Sequence, residues 1–159
     1  MRGFKDNAGR NWTVALTVDA IRRVRSLLNV DLCNLLDGAP PLLAKLELDP
    51  VLLCDVLFAL VKPEADAQSV SDVEFGRAMG GECLTLAQDA LFQELSDFFR
   101  QRRRMDLAKA IQKQAQLVAA AVRTAESKVE AISEEAAVAT IFGSSSGNSP
   151  GSLASTPDR

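Results

Sequence analysis

The sequence contains no histidine and no tyrosine. The lack of histidine excludes a histidine-based catalytic triad, a His-ligated zinc ion and the usual general base near neutral pH. Gly80-Gly81 does not form a phosphate-binding loop, because no Lys-Ser/Thr pair follows it and the glycine spacing of a dinucleotide-binding loop is missing. The carboxylates fall mostly at predicted helix caps or exposed helix positions. We therefore expect a protein that is not an enzyme and that binds no cofactor or metal.

Cysteine is also scarce, with Cys33, Cys54 and Cys83 widely spaced along the chain. Each lies among leucines, a setting typical of reduced, buried thiols. An odd number of distant cysteines does not suggest a disulfide framework or a metal site. This usage predicts a protein of the reducing cytoplasm.

Neither strong net charge nor a long hydrophobic run is present. The formal net charge is −3, which gives no overall attraction to nucleic acid or to an anionic membrane. The longest nearly apolar run, Val51 to Val61, is about half of the roughly 20 residues that a membrane-spanning helix needs. The N-terminus is polar and does not resemble a signal peptide. The expectation is a soluble, intracellular protein without a membrane partner.

The most informative stretch runs from Asp49 to Pro63. Asp49 can accept hydrogen bonds from the first free amides of a helix, and Pro50 fits the first helical position. Lys62-Pro63 predicts the end of the same helix. Asp55 is the only charge between these marks, so the helix is apolar nearly all round and other elements must surround it. We expect this helix to be the centre of the core.

The flanking sequence supplies elements that can cover this helix. Turn-forming residues between Phe4 and Trp12 predict a β-hairpin. Thr17 or Asp19 begins a helix, Ser71 and Glu74 have the spacing of a capping box, and a later apolar stripe ends at Phe99. The predicted fold is mainly α with a small N-terminal β-hairpin (α+β), in which residues 1–104 form a compact helical body.

Arginine is concentrated in two places, one at Arg22, Arg23 and Arg25 and the other within residues 100–104. The first cluster is typical of a solvated helix face, and the second suits the C-terminal end of a helix. Binding to an acidic partner surface or to nucleic acid is the alternative. Nucleic acid is disfavoured, because no aromatic residues alternate with the arginines and no nucleic-acid-binding fold signature is present. The candidate partner-binding residues here are Arg100, Arg102, Arg103 and Arg104.

Residues 105–142 predict one long amphipathic helix with a heptad-like seam. The seam is thin, because alanine occupies several of its positions, so we expect it to pack against a partner or a second copy of the chain. Its candidate partner-binding residues are Ile111, Val118, Val122, Val129 and Ile132. Residues 143–159 are dense in glycine, serine and proline and predict a disordered tail.

Seven stretches in the first two thirds of the chain form a recognisable combination. They are Phe4-Lys5-Asp6, Gly9 to Val14, Val18 to Arg25, Asn29 to Leu32, Asp49 to Leu57, Ser71-Asp72 with Phe75-Gly76, and Asp97-Phe98-Phe99. In this combination the chain resembles small phage and prophage proteins of the tail assembly chaperone type over about residues 4–104. Such proteins tend to have proline after the Asp-Phe-Phe, where this chain has Arg100.

The resemblance implies a non-enzymatic assembly factor of the host cell cytoplasm that is absent from the mature virion. Its implied partners are the tape measure protein and the tail tube protein, and it implies no catalytic residue. Two alternatives remain open. The chain could be a nucleic-acid-associated helical regulator that uses its arginine clusters, or a generic helical adaptor protein.

Overall fold

A computed structural model describes the backbone of residues 1–142 and the side chains of residues 1–132. Over this part of the chain, two strands are followed by six helices. The elements are β1 Arg2–Lys5, β2 Asn11–Val14, α1 Val18–Leu28, α2 Leu42–Leu48, α3 Pro50–Ala67, α4 Asp72–Ala78, α5 Glu82–Gln101 and α6 Met105–Phe142. The predicted class, mainly α with an N-terminal hairpin, is confirmed. The predicted disordered tail, residues 143–159, lies outside the described residues.

Helix α3 is the centre of the hydrophobic core, as predicted. The Asp49 carboxylate accepts hydrogen bonds from the amides of Val51 and Leu52 at 3.0 Å, which fixes the start of the helix. Helices α1, α2, α4 and α5 and strand β2 all contact α3. Its fully or nearly fully buried side chains are Leu53, Val56, Leu57, Ala59, Leu60, Val61 and Ala65. Asp55, the one charge in the apolar run, lies exposed at the surface.

The predicted end of α3 at Lys62-Pro63 is wrong, because the helix continues to Ala67 with Pro63 inside it. A proline at this position cannot donate the helical hydrogen bond to the carbonyl of Ala59. The guanidinium of Arg23 on α1 supplies a replacement donor. Its Nη1 donates to the carbonyl oxygens of Ala59 and Leu60, both at 3.0 Å. Arg23 is therefore not part of a solvated face; it joins α1 to the proline-containing turn of α3.

The Arg23→Ala variant should lose about 1–3 kcal/mol of unfolding free energy, because it leaves these carbonyls without their charged donor. In a Pro63→Ala background the loss should be smaller, since the amide of residue 63 can then bond to Ala59. Urea denaturation of the two single variants, the double variant and the unmodified chain measures the coupling. Equal losses in both backgrounds would show that Arg23 does not compensate for Pro63. Arg22→Ala, at an exposed neighbouring position, is the matched control.

The hairpin is held by a buried carboxylate in its loop. β1 and β2 are antiparallel, with Phe4 opposite Trp12. Asp6 is only 4% exposed, and it accepts hydrogen bonds from Trp12 Nε1 at 2.9 Å, Arg10 Nε at 2.7 Å and the Arg10 amide at 2.9 Å. Burial alone would raise the pKa of Asp6, but these bonds outweigh it and hold the pKa below its usual value. The Trp12 ring meets Phe75 of α4 edge-on, with ring centroids 5.3 Å apart.

Two predicted helix starts are confirmed by their capping bonds. The Thr17 hydroxyl accepts from the amide of Ala20 at the start of α1. Ser71 and Glu74 form the predicted capping box, in which each side chain accepts from the backbone amide of the other residue. These bonds satisfy amides that a helix start leaves without partners.

The body extends beyond the expected boundary at residue 104. Leu107, Ala108 and Ile111, in the first turns of α6, are buried in the same core as α3 and α5. The compact unit that contains them runs from Met1 to Leu117, and the rest of α6 belongs to a second unit that begins at Val118. The body continues past residue 104 because Leu107 and Ile111, four residues apart on α6, form an apolar face that the core buries.

Candidate functional site

The two arginine clusters of the sequence meet at one cleft, here called the arginine cleft. It has a volume of about 630 Å³ and lies between α1, the loop that follows it and the end of α5. It is lined by Val18, Ile21, Arg22, Arg25, Cys33, Phe98, Phe99, Arg102 and Arg104. The structure thus gives the cleft an apolar floor and a basic rim.

Local geometry selects which arginines reach the cleft. On α1, Arg22 and Arg25 are three residues apart and lie on the same face as Val18 and Ile21. Helix α5 ends in a Schellman-type turn, in which the amide of Arg104 donates to the carbonyl of Phe99 at 2.9 Å. Arg103 occupies the left-handed position of this turn, with φ of 61°, where glycine is usual. Residues 102 and 104 line the cleft as a result, and residue 103 does not.

Two of the four arginines at the cleft are already paired with carboxylates. Arg25 lies 2.7 Å from Asp31, and Arg104 lies 2.8 Å from Asp106. The hydrogen bond from Arg25 lowers the pKa of Asp31, and the bonds from Arg104 lower the pKa of Asp106 to about 2. Both carboxylates are therefore ionised at neutral pH.

The other two arginines keep their donors available. Among residues 1–132, no carboxylate lies within ion-pair distance of Arg22 or Arg102. The Arg102 guanidinium lies 5.6 Å from the centroid of the Phe98 ring, a cation–π arrangement that leaves its N–H groups uncommitted. These two side chains are the ones able to bind an incoming anion.

The cluster at residues 100–104 is not the single patch that the sequence suggests. Arg100 pairs with Asp97 at 3.0 Å and lines a different, smaller cleft of about 320 Å³. Arg103 is exposed outside both clefts. Of the four candidate arginines in this cluster, only Arg102 and Arg104 share a site. The sequence indicated Arg22 only as an alternative binding residue and did not indicate Phe98, because no local signal tells which helix lies beside the end of α5.

The prediction that the three cysteines are buried is only partly confirmed. Cys83 is buried and Cys54 is half-buried, and burial raises the pKa of both thiols. Cys33 is exposed at the arginine cleft, so the expectation of a buried thiol is wrong there. Leu32 and Leu35 point into the core from an irregular turn, whereas Cys33 and Asn34, which lie between them, are exposed.

The candidate seam of α6 divides in two. Ile111 is 2% exposed and belongs to the core, so the expectation that it meets a partner is wrong. Val118 is half-buried. Val122, Val129 and Ile132 are 50%, 66% and 65% exposed. We call Val118, Val122, Val129 and Ile132 the exposed seam.

Comparisons with known proteins assign no family: no family model, curated protein or solved structure matches this chain. In the part of the chain that the structure describes, no three or more cysteine, aspartate or glutamate side chains are grouped so that they could hold a metal ion. Within the same residues, no helix combines the length and hydrophobicity needed to cross a membrane.

Proposed function

We propose that this protein is a non-enzymatic phage tail assembly chaperone that binds the tape measure and tail tube proteins in the host cytoplasm during virion morphogenesis. The observation that carries the proposal is the exposed seam of α6. Isolated apolar side chains on a surface are common. The four residues of the exposed seam, spaced four, seven and three positions apart along α6, instead form a continuous stripe on one side of the helix. Such a stripe is stabilised when a second helix covers it.

The character of the exposed seam favours a long helical partner over a compact one. Its residues follow the heptad spacing of helix–helix packing, and the intervening Ala125 limits the area that each contact buries. Full burial of a valine or isoleucine side chain contributes about 1.5–3 kcal/mol before the entropy of association is subtracted. A single contact is then weak and reversible. Several chaperone molecules along one long helix would keep it covered and could still leave when the tail assembles.

Several residues that carry the resemblance hold the body together. Asp6 and Trp12 are joined in the buried hydrogen-bond cluster of the hairpin, Asp49 caps the core helix, and Ser71 forms the capping box. All are structural positions, so the resemblance bears on how the body is built. The resemblance implies the partners, and the exposed seam is the surface that we propose for them.

The exposed seam makes a specific prediction for tape measure binding. The Val122→Asp/Val129→Asp variant should bind a tape measure protein at least about tenfold more weakly than the unmodified chain, because each change places a charge in an apolar contact. Retention of the co-expressed tape measure protein on the tagged variant, quantified over a titration, measures the effect. Circular dichroism should show an unchanged thermal transition for the body.

A matched control lies on the opposite face of the same helix. Ala120→Asp/Ser127→Asp introduces the same charge at the same seven-residue spacing, and both positions are exposed. This variant should bind the tape measure protein as the unmodified chain does. Equal weakening by both double variants would mean that added charge, and not loss of the seam, is responsible.

A further inference from the structure

The arginine cleft shares no residue with the exposed seam, and the proposed helix-binding role does not use it. Its floor consists of Ile21, Phe98 and Phe99, and Val18 stands exposed at its edge. We propose that this cleft binds a short acidic segment of a partner protein, which places a bulky apolar side chain on the floor and carboxylates on Arg22 and Arg102.

Charge complementarity on the rim argues for an anionic occupant. Asp31 and Asp106 are already paired with Arg25 and Arg104, which partly neutralises these two arginines. Arg22 and Arg102 have no carboxylate partner within the described residues. A guanidinium can bind a carboxylate through two parallel hydrogen bonds, and Phe98 already orients that of Arg102 by contact with its ring. Two carboxylates on the occupant would complete the charge pairing of the cleft.

The apolar floor argues for a peptide over a simple anion. A phosphate or free carboxylate would contact the rim and leave the exposed apolar surface of Phe98 and Val18 uncovered. The volume of about 630 Å³ falls in the usual range of roughly 300–1,000 Å³ for pockets that enclose a compact ligand. It can take a few side chains from one helical turn or a short extended stretch, which limits the occupant to a short segment.

The same charges disfavour nucleic acid. Asp31 and Asp106 are ionised and lie within ion-pair distance of Arg25 and Arg104 on the rim, so they would repel a phosphate backbone that passes over these two arginines. Nucleic-acid affinity depends on many neutralised phosphates, whereas among residues 1–132 the cleft offers two arginines without a carboxylate partner, Arg22 and Arg102. A peptide can place its two carboxylates at the two arginines and keep other charges away from Asp31 and Asp106.

Fluorescence anisotropy with the full chain tests the proposal. The first probe is a labelled acidic peptide in which glutamates flank leucine and phenylalanine side chains, and the second has glutamine in place of every glutamate. A labelled single-stranded oligonucleotide of mixed sequence is the third. The acidic peptide should bind saturably, and the glutamine peptide should bind at least about tenfold more weakly.

Charge reversal locates the binding site. Arg22→Glu/Arg102→Glu should weaken acidic-peptide binding by at least about tenfold, and Arg22→Gln/Arg102→Gln gives a second variant without repulsive charge. Arg77→Glu/Arg123→Glu changes the net charge by the same amount at exposed positions that do not line the cleft, and it should leave binding within about twofold of the unmodified chain. Thermal melting of all variants checks that the body is folded.

Three results would overturn the proposal: no saturable binding of the acidic peptide, equal weakening by the cleft and control variants, or displacement of the peptide by lower concentrations of the oligonucleotide. The last result would assign the cleft to nucleic acid. Failure here is distinct from failure of tape measure binding, because Val122→Asp/Val129→Asp leaves the cleft unchanged and should bind the acidic peptide normally.

Discussion

Replacement of Leu57 by alanine is expected to lower the free energy of unfolding by about 2–5 kcal/mol. Leu57 lies in the middle of α3 and has no exposed surface. Helices α1, α2, α4 and α5 and strand β2 all pack on α3, so the neighbours are held from several sides and cannot collapse freely into the space that the side chain leaves. The lost apolar contact and the residual cavity therefore both contribute. Urea denaturation followed by circular dichroism measures the change.

The same helix provides the control for this prediction. Val51→Ala removes apolar atoms from the first turn of α3, but Val51 is 69% exposed. Its effect should stay within about 0.5 kcal/mol. A Leu57→Ala effect below about 1 kcal/mol would mean that α3 is not the centre of the core.

Replacement of Asp6 by alanine is expected to cost about 2–4 kcal/mol, because it removes the acceptor of the buried Trp12 Nε1 and breaks an ion pair whose Arg10 side chain is partly exposed. The change would leave Trp12 Nε1 and the Arg10 guanidinium without their acceptor in the loop of the hairpin. The hairpin also covers parts of α3 and α5, so its loosening should expose core side chains. Thermal unfolding, with the fluorescence of the single tryptophan as the probe, reports directly on this region. Asp55→Ala, at an exposed carboxylate, should change stability by less than about 0.5 kcal/mol.

The pH dependence of the Asp6 contribution has a definite sign. Burial raises the pKa of Asp6, but the hydrogen bonds from Trp12 and Arg10 together outweigh it, so the folded-state pKa lies below the ordinary value of 3.8. Its contribution is therefore complete above pH 3.8 and is lost as the pH falls through the folded-state pKa. The stability difference between the unmodified chain and Asp6→Asn should be constant near neutral pH and should shrink on acidification below that value. A difference that grows on acidification would contradict the assigned hydrogen bonds.

Local signals in the sequence predicted the local features of the fold. Thr17, Asp49 and Ser71 were identified as helix caps because each side chain accepts from amides two or three residues away. The hairpin was also predicted from a local signal, because its turn residues are contiguous in the sequence. The end of α3 was predicted wrongly, because the donor that makes Pro63 tolerable comes from Arg23. The bond from Arg23 to Ala59 spans 36 residues of sequence.

The candidate sites required information that sequence periodicity does not contain. A heptad pattern gives Ile111 and Val122 the same status, although the body covers the first and leaves the second exposed. The pattern specifies an apolar stripe and not what covers it. The arginine cleft was missed for a related reason: Arg22 and Arg102 are far apart in the chain, and only the packing of α1 beside the end of α5 brings them to one rim.

Light scattering tests the proposed chaperone function most directly. A tape measure protein is diluted from denaturant into buffer with increasing amounts of the unmodified chain, the exposed-seam variant Val122→Asp/Val129→Asp, or the control Ala120→Asp/Ser127→Asp. We predict that the unmodified chain and the control suppress scattering in proportion to their concentration and that the exposed-seam variant does not. Scattering that the unmodified chain leaves unchanged, or that the exposed-seam variant suppresses equally well, would contradict the proposal that the seam keeps a long helical partner in solution.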